Sequence, residues 1–111
     1  MLFCMITQDQ ERARESTIEA LKFYLQQAFP QTIVEISPDK DSRGTIFCVN
    51  DSEGTPLHRA VFTHKVLDDT REPSLLIAQL QRWELISKMK KAGTSFVRVD
   101  YRGIYSITES S

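Results

Sequence analysis

With 111 residues the chain is the length of one domain, and it buries roughly two-thirds of its extended surface on folding, enough for a core without metal or disulfide staples. Hydrophobic residues are 41% and charged residues 26%, a balance that excludes wholesale disorder. Fourteen Lys and Arg against 15 Asp and Glu leave a net charge of −1, which excludes a chain that is basic or acidic overall.

No run of 18 apolar residues occurs, so no membrane span is expected. The opening Met1-Leu2-Phe3-Cys4-Met5-Ile6 has no basic flank and reaches Gln8, Asp9 and Gln10 too soon for a secretory leader, whose apolar stretch runs ~7–15 residues. A cytoplasmic location is expected, with Cys4 and Cys48 reduced rather than bridged. Charge is uneven: residues 1–70 carry 11 acids and 7 bases, residues 71–111 carry 4 acids and 7 bases.

Residues 1–7 read as a loose lead-in or an extra edge strand of a single domain covering 1–111. Residues 8–28 predict a helix, with Thr7 as cap and Gln10 at capping-box spacing. Ile18, Leu21, Leu25 and Ala28 fall at intervals of three and four and share one face. Pro30 stops the helix. Thr32–Ile36 and Thr45–Val49 predict strands around a polar loop. Asn50–Gly54 predicts a turn, and Leu57–Leu67 predicts a longer strand with His58, Ala60, Phe62, His64 and Val66 on one side. A second helix is expected over about 73–91, with Pro73 in its first turn and an apolar stripe of Leu76, Leu80, Trp83, Ile86 and Met89. Lys88, Lys90 and Lys91 complement its C-terminal dipole, and Gly93 closes it. Ser95–Asp100 and Ile104–Ile107 predict a hairpin, and 108–111 a polar tail.

The expected fold is α+β, two helices packed on one face of an antiparallel sheet in the order α-β-β-β-α-β-β. Ile46 and Cys48, Phe47 and Val49 make the second strand apolar on both faces. The second face therefore invites burial against another copy, and a homodimer is expected.

Candidate chemistry is sparse. His58 and His64, the only histidines, stand roughly 20 Å apart along the expected strand at ~3.3 Å per residue, beyond the reach of one ion. With Cys48 nearby they still make no zinc set, and no metal or other cofactor is expected. Cys48 sits in an apolar run and reads as a core thiol; Cys4 has no identifiable base. Asp68-Asp69 read as capping and dipole partners of the next helix rather than an acidic pair. No glycine-rich phosphate motif or HExxH string is present, and no catalytic residue is assigned. The basic residues Lys88, Lys90, Lys91, Arg98 and Arg102, with Phe96, Tyr101 and Tyr105 close by in sequence, form the candidate contact for an anion or nucleic acid. The expectation is a non-catalytic macromolecule-binding module, its partner a second copy, another protein, or a nucleic acid held by that patch.

Two family patterns bear on this. Gly54-Thr55-Pro56-Leu57-His58, with Phe62 and Val66, echoes part of the double-stranded-RNA-binding domain. The lysine-rich start of that family's second helix is replaced by Thr70-Arg71-Glu72-Pro73-Ser74, so its RNA-gripping residues have no counterpart. The element order is similar to that of the small dimeric chaperones of bacterial secretion systems, which pair and hold extended partner segments; their closing C-terminal helix is missing here. That resemblance implies a dimeric binding module and assigns no site residue.

Overall fold

The computed structural model describes the backbone of residues 2–39, 43–70 and 72–107, and the side chains of 14–39, 43–70 and 72–105. The fold is α+β: helices and a five-stranded sheet of order β1-β2-β3-β4-β5. In chain order the elements are α1 (Leu2–Ala28), β1 (Ile33–Asp39), β2 (Gly44–Asn50), β3 (Pro56–Thr63), α2 (His64–Asp69), α3 (Pro73–Arg82), α4 (Leu85–Ala92), β4 (Phe96–Asp100) and β5 (Gly103–Ile107). The expected polar tail, 108–111, lies outside the described residues.

Helix α1 begins at Leu2, so residues 2–7 belong to a helix rather than to a loose lead-in or an edge strand, and Thr7 lies inside it rather than capping it. Along its second half Leu21 and Leu25 are fully buried, with Ile18 and Ala28 against the same core. Phe29 continues that face. Pro30 and the left-handed Gln31 (φ 65°) end the helix, and Thr32 Oγ1 donates to the Phe29 carbonyl.

Strands β1, β2 and β3 form the expected antiparallel meander. Pro38 is tolerated because β1 is an edge strand. At the β2–β3 turn, Asp51 Oδ1 accepts the Glu53 and Thr55 amides, each at 2.9 Å, and Gly54 takes φ 87°. Gly44 has a steric duty: a Cβ there would stand 2.5 Å from the Phe62 carbonyl oxygen.

Three expectations are corrected. First, the sheet is not wholly antiparallel, because β3 and β4 pair parallel from Arg59↔Phe96 to Phe62↔Val99. A parallel pair needs a long crossover, and residues 64–95 provide it in helical form. Second, the third strand stops at Thr63. Thr63 Oγ1 accepts the Val66 amide at 3.5 Å and starts α2, and Val66 and Leu67 are both buried from that helix. Third, the helix expected over 73–91 breaks at Trp83–Glu84, where Glu84 is left-handed (φ 58°, ψ 46°). The break re-phases the chain so that Leu85 and Met89 are the fully buried pair of α4, with Trp83 and Ile86 half-buried beside them. Burying Leu85 contributes ~1.5–3 kcal/mol, against a cost of ~1–2 kcal/mol for a left-handed non-glycine residue.

The core joins Leu21, Leu25, Phe29, Leu67, Leu80, Leu85 and Met89 from the helical segments to Val34, Phe47, Val49, Ala60, Phe62, Val97 and Val99 of the strands. Phe47 and Phe62 meet edge to face at 5.1 Å. Arg14 clamps Asp68 through Nε and an Nη at 2.6 and 2.8 Å, tying α1 to α2. Among the described residues, no helix is long and apolar enough to cross a membrane.

Candidate functional site: the second sheet face and a basic pocket at its end

Strand positions that alternate with the core positions project from the other side of the sheet. The register aligns two rows there: Glu35, Cys48, Arg59 and Phe96, and Ser37, Ile46, Val61, Arg98 and Tyr105. Val61 is only 3% exposed, although it is not part of the core cluster. Arg59 lays its guanidinium over the Phe96 ring at 4.9 Å, and its Nε is buried without a hydrogen-bond partner. Ile33 (53% exposed) and Tyr105 (47% exposed) add apolar surface to the same side. Cys48 is half-buried in the first row. Its thiol donates to Asn50 Oδ1 at 2.9 Å, and burial pushes its pKa up, with Arg59 drawing it down and Glu35 raising it.

At one end of this face, three chain segments converge. Arg43 precedes β2, and its carbonyl accepts the His64 amide at 2.9 Å. Thr63, His64 and Lys65 form the junction of β3 with α2. Arg98 and Asp100 come from β4, and Tyr101 from the turn beyond. Together they line a pocket of about 350 Å³. Asp100 Oδ1 accepts the amides of Arg102 and Gly103 at 2.7 and 3.2 Å. Lys65 Nζ stands 4.7 Å and the Arg102 guanidinium 5.3 Å from the Tyr101 ring centre, and Arg102 Nε donates to Tyr101 Oη at 2.9 Å.

The expected basic patch is thus divided. Lys88, Lys90 and Lys91 stand on α4, which leads into β4, and Lys90 Nζ lies 5.9 Å from the Phe29 ring centre. Arg98 is midway along β4 and Arg102 beyond its far end, the strand itself running about 13 Å at ~3.3 Å per residue. Arg98 keeps company instead with His64 and with Arg43 and Lys65, two cations outside the expected patch. The only sign of them was Arg43-Gly44, a glycine whose close packing pulls its neighbour onto the end of β3.

The remaining candidates take structural places. His58 Nδ1 lies 3.0 Å from the Met89 carbonyl and 3.3 Å from that of Gly93. A carbonyl only accepts, so Nδ1 carries a proton and caps the end of α4. Its ring also rests on Phe29, 4.8 Å centre to centre. His64 opens α2 rather than continuing a strand. Asp68 and Asp69 close α2, with Asp68 taken by Arg14, and α3 starts from Glu72 with no side-chain cap. Among the described residues, no group of three or more His, Cys, Asp or Glu is placed to hold a metal ion. Comparison with family models, curated proteins and solved structures finds no match to the chain.

Proposed function

We propose that this protein is a non-catalytic binding module that pairs with a second copy through the sheet face turned away from its core. In this reading the helices all cover one side of the sheet and the other side is a contact surface. The carrying observation is the apolar surface left on that side: the exposed Ile33 and Tyr105 and the half-buried Ile46 and Cys48, around the buried Val61. Two features agree with it. The central cation of the face, Arg59, is folded over the Phe96 ring at 4.9 Å, which leaves its charge turned along the sheet beside an aromatic surface. The β5 edge also carries no charge or proline from Gly103 to Ile107, whereas the β1 edge carries Glu35, Pro38 and Asp39, the devices that discourage edge pairing. Burying several hundred Å² of such surface per copy favours association by several kcal/mol at ~25 cal/mol per Å² before the costs of association. The test is light scattering coupled to size exclusion at about 10–100 μM, on the native chain and on Ile33→Glu and Tyr105→Glu. Both sites are exposed, so the fold tolerates the change. A dimer that each substitution dissociates is expected; a native monomer across that range refutes the pairing.

A second reading, single-stranded nucleic acid laid on the same face, is favoured by one observation. Arg98 and Tyr105 are direct cross-strand partners, and a cation beside an exposed aromatic ring suits phosphate and base together. It predicts retention on heparin and affinity that falls steeply with salt, and no binding at low salt eliminates it.

A further inference from the structure

We propose that the pocket at the ends of β3 and β4 is an anion site for the phosphate group of a small phosphate monoester. Arg43, Lys65 and Arg98 bring three permanent positive charges to it and Asp100 one negative charge, although the whole chain is net −1. The Asp100 carboxylate is already engaged by two turn amides. Among the described residues, Asp100 is the one carboxylate that lines the pocket, and none of these three cations is in an ion pair. Like charges gathered without counter-charge repel, and a bound anion relieves that repulsion. A net local charge of +2 matches a phosphate monoester dianion, and two guanidinium groups offer forked donors to its oxygens.

The site is fixed by backbone. Gly44 lets β2 pack against the Phe62 carbonyl; the Arg43 carbonyl is bonded to the His64 amide; Asp100 orders the turn that carries Tyr101. A volume of about 350 Å³ falls at the small end of the ~300–1,000 Å³ seen for small-molecule sites. It exceeds the needs of a bare phosphate, and the half-exposed Tyr101 ring offers an apolar wall for an organic body.

The experiment titrates the ¹⁵N-labelled chain with inorganic phosphate and with phenyl phosphate and follows the backbone amides. Saturable shifts are expected at His64, Lys65, Arg98 and Tyr101, with phenyl phosphate binding several-fold tighter because its ring meets Tyr101. Arg98→Gln and Lys65→Gln, both at exposed positions, are each expected to weaken binding about tenfold, while Lys90→Gln on α4 leaves it unchanged. Shifts that fail to saturate by about 20 mM, or an equal loss in Lys90→Gln, overturn the proposal. A single-stranded oligonucleotide that binds while these four amides stay still overturns it in favour of the nucleic-acid reading. Because Arg43, Lys65 and Tyr101 stand outside both rows of the proposed pairing face, whereas Arg98 stands in one, Lys65→Gln separates the readings: it weakens phosphate binding and leaves the mass found by scattering unchanged.

Discussion

Gly44→Ala tests how tightly the β2–β3 seam is closed. The added Cβ would lie 2.5 Å from the Phe62 carbonyl oxygen, 3.2 Å from its carbonyl carbon and 3.3 Å from Val61 Cγ2. An ordinary carbon-to-oxygen approach is about 3.3–3.6 Å, so the two strands must part by nearly 1 Å at a point where Gly44 pairs with Thr63. Overpacking of this kind costs about 1–3 kcal/mol, while the stiffer unfolded chain returns about 0.4–1 kcal/mol. A net loss of about 1–2 kcal/mol is expected, a fall in Tm of about 5–10 °C for a domain of this size. Urea unfolding followed by circular dichroism measures it. Gly54→Ala is the control, because its Cβ meets nothing within 4 Å and only its φ of 87° opposes the change. If Gly44→Ala unfolds at the same urea concentration as the native chain, the steric reasoning fails.

Two further outcomes are expected. Glu84→Gly relieves a left-handed residue (φ 58°) in an exposed turn; despite glycine's freer unfolded chain, stability holds or rises by up to about 1 kcal/mol, and a loss of more than that means Glu84 makes a contact that matters. In a Cys4→Ser background, Cys48 alkylates more slowly than a free thiol at pH 8, since burial raises its pKa and thins the thiolate; Arg59→Gln slows it further and Glu35→Gln speeds it, following the directions of their charges. Rates that move the opposite way refute that account of the row.

Periodicity revealed what local physics controls. Leu21 and Leu25 set the α1 face, Pro30 its end, and the alternation of Val97 and Val99 with Phe96 and Arg98 the orientation of β4. It failed where two patterns overlap. His64-Lys65-Val66-Leu67 continues a plausible β alternation, and only the Thr63-to-Val66 cap spacing hints that a helical turn begins there. The stripe from Leu76 to Met89 fits one helix so well that nothing in it announces the break; Leu85, off the stripe yet fully buried, is its trace. The pocket was illegible for a different reason. Arg43, Lys65 and Arg98 are far apart in sequence, and they meet only because β3 and β4 run side by side in the same direction, a pairing that no short-range signal encodes.

That parallel ladder is a seam in the molecule. Three strands up to Thr63 zip by short hairpins, whereas β4 and β5 can dock only after the helical crossover has closed the long span from Arg59 to Phe96. The C-terminal hairpin is then the natural unit to swing loose while the remainder holds, a partial opening that hydrogen exchange would see as early loss of protection across residues 96–107. Arg43 and Lys65 stand on the early half of the seam, Arg98 and Tyr101 on the late half. An anion bound at the proposed site would bridge the two halves, and its addition should then slow exchange across residues 96–107.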